Sequence, residues 1–536
     1  MNKKRLPKST YPNRYEIELD VDLDNFSYTG AQKVDLNVVE ATNNIVLNSV
    51  GIEVTKAKIQ TTKQDIPLEV NYIEEDEKIV FESKETLSEG VYELYLEFNS
   101  EITNDLKGFY KSSYMSEDGE KKWIATTQFE PTAARSAFPC WDEPEYKAIF
   151  SMTIITDEKY LRVSNEMVVE EEKVENNKLR TKFADSMKMS SYLVAFVIGD
   201  LEATVVGKSK TTDIRIIHRP GFSHQTSYAG TAAIKLLDFF EDYYKIPYPG
   251  TKLDLIAIPD FAMGAMENVG AVTFRENLLL FDKDKATRSE LDRSITVIAH
   301  ELAHMWFGDL VTMKWWDGIW LNEAFASLME VIASYNTYPE FKQWNAMNMS
   351  RTAGFSIDSL ENSRPVEFDV ETPDQAEEMF DVLTYEKGST VLRMFQMFIG
   401  EEAFQNGVEA YLNQFKFKNT NSSDLWDALS EASNQPLNKI LPYWIRKKGY
   451  PFLQVDCSNN YLTIKQKPFL LRNINTDERS IKPVPVQIKF LDTGNEEKFL
   501  LDETEKVIDL ENLGKVPHVN SGGWGFFHTF YDDEVF

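Results

Sequence analysis

Cysteine is scarce: Cys140 and Cys457 are the only two in 536 residues. Two thiols cannot build a disulfide framework, and the scarcity fits a reducing compartment and a cytoplasmic address. Long apolar runs are missing as well. No stretch approaches the roughly 18 uncharged apolar residues that a membrane helix needs. The start, Met1 to Pro12, is basic and polar with no apolar segment behind it, so neither export nor anchoring is expected. Positive charge is in deficit, with 57 Lys and Arg against 86 Asp and Glu and a net charge of −29. Such a surface repels phosphate backbones and anionic lipid, so no nucleic acid and no membrane is expected as a partner. Internal repeats and long linkers are absent. Asn-x-Ser triplets such as those at Asn348 and Asn421 carry no weight where export is not expected.

What is present is enough apolar material to fold, 42% hydrophobic residues beside 27% charged ones, in a chain long enough for about three domains. From Tyr11 to about Leu201 short alternating runs (Tyr15, Ile17, Leu19, Val21; Val91, Tyr92, Leu94, Leu96) are separated by turn residues, which predicts an all-β first domain. Within it the acidic run Glu170-Glu171-Glu172-Lys173 reads as a solvated hairpin tip. After about Thr204 the period changes. Ala232, Leu236, Leu237 and Phe240 fall at helical spacing, Leu253 to Ile258 reads as a strand, and helical patterns dominate from Ser294 to about Lys447. Past Gly449-Tyr450-Pro451 alternation returns (Leu453, Val455; Leu462, Ile464; Val484, Val486, Ile488), predicting a second β-rich domain of about 85 residues.

One pattern carries chemistry. His300-Glu301-Leu302-Ala303-His304 lies in the helical stretch Ile295 to Phe307, where two histidines four apart share one face and can reach one metal ion. Chance matches in a chain of this composition number roughly 0.01. A catalytic zinc site has three protein ligands and an open position for water, so a third donor is required. Glu323 follows His304 with 18 residues between them, enough for a connector and the start of a second helix. Alone it would read as a solvated helix-start carboxylate. Its neighbours Trp315, Trp316, Trp320 and Phe325 imply burial instead, where a carboxylate is costly unless paired or bound to metal.

With Glu323 after that spacer, the motif resembles the gluzincin zinc metallopeptidases, and specifically the aminopeptidase N family, close to the tricorn-interacting aminopeptidases. Further segments match it: Gln128-Phe129-Glu130-Pro131, Phe138-Pro139-Cys140-Trp141-Asp142-Glu143-Pro144, Gly264-Ala265-Met266-Glu267-Asn268 and Tyr385-Glu386-Lys387-Gly388. The resemblance implies a multidomain α+β fold. An N-terminal all-β domain would cover 1–203, a thermolysin-like α/β zinc catalytic domain 204–448 and a C-terminal β-sandwich 449–536. It implies one zinc ion held by His300, His304 and Glu323, with Glu301 as general base and proton donor and Tyr385 on the developing oxyanion. It also implies that Glu130 and Glu267, helped by Gln128, bind the free α-amino group of a peptide substrate, with Gly264, Ala265, Met266 and Asn268 in the same binding segment. The backbone there can pair with an extended peptide. The expected activity is therefore hydrolysis of N-terminal peptide bonds.

Two other functions stand beside this one: a zinc endopeptidase, which would lack the Glu130 and Glu267 anchor, and a catalytically silent scaffold of two β domains. The Gly264-Ala265 form departs from leukotriene hydrolase, which usually has a second glycine there, and weakens an epoxide hydrolase reading. Asp309 stands where the family usually has asparagine and is read either as an acceptor for a ligand histidine or as a loop aspartate. His528 stands where the family commonly has arginine. Family members generally continue into a long helical domain, whereas this sequence ends at Phe536, which implies a short member or a cut chain.

Overall fold

Alternation in the first two hundred residues becomes strands with one face buried. The computed structural model describes residues 5–61, 64–471 and 481–532. These divide into two compact units, one built from residues up to Trp316 with 371–376 and 415–419, the other from 317–370, 377–414 and the chain from Thr420 onward.

In the first unit a ten-stranded sheet is centred on Thr10–Asp22, which pairs antiparallel with Ser27–Val38 and parallel with Ile149–Asp157. Tyr15, Ile17, Leu19 and Val21 all point to the buried face, as the period of two requires. Tyr15 stacks on its register partner Phe150 at 4.8 Å between ring centres. A four-stranded sheet, including Lys121–Gln128, completes this β-rich region. The acidic run lies one step from its expected place. Val168–Val174 is an exposed edge strand, and the hairpin tip is Glu175-Asn176-Asn177, where Asn176 and Asn177 take positive φ. Asparagine tolerates that conformation and so ends the strand, whereas glutamates extend along a solvated edge.

The same unit continues into a mixed five-stranded sheet in the order Glu202–Ser209, Thr212–His218, Lys252–Ile258, Ala271–Arg275, Ala265–Met266. Lys252–Ile258 is buried along its whole length and pairs parallel on both sides, which explains its unbroken apolar run. The helices Ser227–Tyr244 and Arg288–His304 pack against each other. The second starts earlier than its apolar spacing suggested, because Thr287 and Glu290 form a reciprocal capping box that satisfies two end groups.

In the second unit the helices include Trp320–Thr337, Gln343–Asp358 and Gly388–Ile399, the last preceded by one π-helical turn, Leu383–Lys387. Beyond Tyr450 come two small sheets. One orders Glu505–Asp509, Tyr461–Pro468, Pro451–Ser458 and His528–Tyr531; the other orders Glu496–Leu501, Val484–Phe490 and Pro517–Val519. His528 serves packing in this unit, its ring 4.4 Å from that of Phe355 and its Nε2 3.2 Å from the Tyr450 hydroxyl. No helix among the described residues is long and apolar enough to cross a membrane.

Candidate metal centre

The helix Arg288–His304 ends at the second histidine, and its end is anchored by aromatic packing. Trp306 is fully buried, lies 5.0 Å from Tyr244 and 6.0 Å from Phe240 between ring centres, and donates its indole N–H to the Ile246 carbonyl at 3.2 Å. On that fixed end the Nε2 atoms of His300 and His304 face each other at 3.1 Å. Two ligand nitrogens on one tetrahedral zinc stand about 3.3 Å apart, given Zn–N bonds of about 2.0–2.1 Å. His304 Nδ1 lies 2.9 Å from the Phe307 carbonyl. A carbonyl only accepts, so Nδ1 holds the proton and the Nε2 lone pair is left for an ion.

Glu323 sits in the first turn of the helix Trp320–Thr337 and is buried. Trp320 locks the start of that helix. Its indole stacks on Trp426 at 4.8 Å and donates to Glu367 Oε2 at 3.0 Å and Ser422 Oγ at 3.2 Å. The ligand atoms of His300, His304 and Glu323 all lie within 4.8 Å of one another, the one such group of metal donors among the described residues. Two neutral imidazoles and a carboxylate are a donor set that suits zinc.

Around the histidine helix the first unit gathers several of the expected residues. Glu267 is buried, with Oε1 3.9 Å from His304 Nδ1. Gln128, at the end of its strand, directs Nε2 to Met266 Sδ at 3.4 Å, and Glu130 follows, half-buried. Ala265 and Met266 form the edge of the mixed sheet, paired with Phe274 and Thr273. Arg275 fastens the preceding loop, with its backbone N–H donating to the Gly264 carbonyl and its guanidinium to the carbonyls of Phe261 and Ala262. Asn268 is buried and donates to Thr273 Oγ1 at 3.2 Å. Gly270 closes the segment at positive φ, where a Cβ would fall 2.0 Å from the Asn165 carbonyl oxygen, so only glycine fits. Tyr385 lies half-buried in the π turn of the second unit.

Asp309 does not accept from His304, whose Nδ1 is taken by Phe307. Its carboxylate is fully buried and neither oxygen has a hydrogen-bond partner among the described residues. Burial first, and the charge of Glu267 next, push its carboxyl well above the usual range. Beneath it Lys147, also fully buried, donates Nζ to the carbonyls of Asp309 at 2.9 Å and Leu310 at 3.3 Å, and burial lowers its pKa to about 7. The ordinary lysine value is 10.5, so between these limits the unfolded chain holds a proton that the folded chain lacks, and stability from this group rises with pH. Below pH 7 both states are protonated and the burial penalty is complete. Lys147→Met is expected to flatten the stability gain between pH 7 and 10, measured by urea unfolding; an unchanged pH slope would contradict this.

Residues 228–444 match the Peptidase family M1 domain, and residues 11–193 match the Peptidase M1 N-terminal domain. The chain belongs to peptidase family M1. Among its relatives, "Aminopeptidase M1" of Arabidopsis thaliana is 40% identical over 99% of this chain and 62% of that protein. "Aminopeptidase M1-A" of Oryza sativa subsp. japonica is 38% identical over 99% of this chain and 61% of that protein. "Puromycin-sensitive aminopeptidase" of Caenorhabditis elegans is 37% identical over 99% and 57%. This M1 chain thus spans about three-fifths of the length of the curated relatives it matches. The family implies a zinc cofactor, and the His/His/Glu group suits one. Side-chain spacing could not reveal two features of this M1 site. The Phe307 carbonyl is backbone and carries no residue signature, and Arg275 differs from any other arginine only by ending an apolar strand.

Proposed function

We propose that the chain is a zinc-dependent aminopeptidase that hydrolyses the N-terminal bond of peptides carrying a free amine. The observation that carries this reading is the pair of Nε2 atoms facing each other at 3.1 Å beside the buried carboxylate of Glu323. Membership of the M1 family and the names of the relatives support it further. His300, His304 and Glu323 would hold one zinc ion. When bound, the ion supplies a Lewis acid that polarises a carbonyl and makes water acidic. Glu301, buried on the same helix and not a ligand, takes the proton of the attacking water and passes it to the leaving amine. Glu130 and Glu267 accept hydrogen bonds from the substrate ammonium, with Gln128 beside them. The edge segment Gly264-Ala265-Met266-Glu267-Asn268 offers backbone groups to an extended peptide.

Tyr385 donates its hydroxyl to the oxyanion as it forms. Tyr385→Phe is expected to lower kcat by about a hundred- to a thousandfold with little change in KM. A change confined to KM would make Tyr385 a binding residue. The whole reading is tested by a panel of aminoacyl amides assayed with and without zinc: release of the amine only with zinc supports it, and no release from any member overturns it.

Three further readings accompany this one. A three-domain organisation, 1–203, 204–448 and 449–536, is supported by the changes of sequence period, with the middle part thermolysin-like. A C-terminal β-sandwich is supported by buried alternating positions, Leu453 and Val455 in one sheet with Val484, Val486 and Ile488 in the other. A cytoplasmic address, without nucleic-acid or membrane partners, is supported by two free cysteines and a net charge of −29.

A further inference from the structure

The turn that carries Tyr385 is braced at both ends. Lys387, its last residue, has Nζ 2.8 Å from Oδ2 of Asp358, and both side chains are fully buried. Burying such a pair carries a desolvation penalty, and removing one partner leaves the other charge uncompensated. Asp358 is held in place: it ends the helix Gln343–Asp358, and its Oδ1 accepts from Ser363 Oγ and from the backbone N–H of Gly449, each at 2.7 Å, while its Oδ2 and Lys387 Nζ have no hydrogen-bond partner among the described residues and meet as an ion pair. At the other end, Asp381 Oδ1 accepts from the backbone N–H groups of Leu383 at 2.9 Å and Thr384 at 3.1 Å. Arg364 pairs with Asp381 at 2.5 Å and donates to Thr384 Oγ1 at 3.0 Å. A π turn is rare, and such turns occur frequently at functional sites. Directly after it comes Gly388. A Cβ built there would lie 2.6 Å from the Cβ of Ala324, the residue beside Glu323. The Ala324 Cβ has no rotamer with which to retreat, so the absent side chain at Gly388 sets how closely the turn approaches the Glu323 helix.

We propose that the Lys387–Asp358 pair and the Gly388–Ala324 contact are positioning elements. The pair fixes the π turn and so the place of the Tyr385 hydroxyl, and the contact sets the spacing between that turn and the Glu323 helix. This rests on the roles given to Tyr385 and Glu323 above.

The test uses the full chain and follows kcat, KM, zinc retained after dialysis against a chelator, and thermal melting. Lys387→Met is expected to lower kcat by about a hundredfold, the scale of a 1 Å misplacement, with KM and zinc unchanged. In a Tyr385→Phe background the same substitution should cost no more than about twofold, because groups that act through one another are not additive. Multiplying losses would overturn the proposal. If Lys387→Met does not fold, the Asp358→Asn/Lys387→Met double variant removes both charges and carries the same cycle. Gly388→Ala is expected to weaken zinc retention by about tenfold or more. Ala324→Gly should restore it, since the Ala324 Cα is 3.8 Å from the added Cβ. Failure of that restoration in folded protein also overturns the proposal. Full kcat in Tyr385→Phe would defeat the functional role of Tyr385, whereas full kcat in Lys387→Met beside an impaired Tyr385→Phe defeats the positioning proposal alone.

Discussion

Replacing Glu301 by Gln is expected to leave zinc bound and remove most of the turnover. Glutamine has the shape of glutamate, and the three donors His300, His304 and Glu323 are untouched, so metal content should match that of the unmodified chain. What disappears is the ability to take and return a proton. General acid–base groups contribute about a hundred- to ten-thousandfold, and in the proposed mechanism Glu301 serves both the attack and the departure of the amine, which puts the expected loss toward the upper end. The loss should fall on kcat. Metal analysis and steady-state kinetics on the same preparation check both halves, and near-normal turnover with a full complement of zinc would remove Glu301 from its role.

The second large effect concerns the amine anchor. An endopeptidase must let the chain run past the metal on both sides, whereas in the proposed reading the carboxylates of Glu130 and Glu267 favour a cationic terminus. Glu267 is buried and lies 3.9 Å from His304 Nδ1, so its charge has little solvent to stabilise it. Acetylating the substrate removes the ammonium and leaves such carboxylates without their partner, a loss of about 2–5 kcal/mol for a buried charge-assisted contact. Blocked peptides should therefore be cut very poorly. Glu267→Ala should slow hydrolysis of free-amine substrates strongly and narrow the gap to blocked ones. If the unmodified chain cleaves acetylated peptides internally as fast as it trims free ones, the endopeptidase reading replaces this one.

The parts of the fold legible in the sequence are those where burial imposes a simple period. Tyr15, Ile17, Leu19 and Val21 alternate and are buried, and Leu253 to Ile258 forms an unbroken apolar run in a strand buried on all sides. The candidate metal donors that the structure brings together are legible for a chemical reason: two histidines four apart on a helix lie on one face and can share an ion. Other features depend on geometry that residue types do not encode. The tautomer of His304 is set by a backbone carbonyl three residues on, and the true start of its helix by a cap at Thr287, eight residues before the apolar face begins at Ile295. The π turn at Leu383–Lys387 follows no hydrophobic period. Its brace joins Lys387 to Asp358 across nearly thirty residues of chain, a pairing that side-chain chemistry permits at many positions and packing selects at one. The acidic run forms the edge strand Val168–Val174 and not the hairpin tip, a difference that composition does not encode because an exposed edge strand and a loop are equally polar.

Zinc titration decides whether turnover depends on one bound ion. The full chain, stripped with a chelator and verified as folded, is mixed with increasing zinc while release of the amine from an aminoacyl amide is followed. The stripped chain is expected to be inactive, with activity rising in proportion to zinc and reaching its plateau at one ion per chain. Equal hydrolysis by the metal-free folded chain would contradict it, as would a chain that binds one zinc through His300, His304 and Glu323 and still releases no N-terminal residue.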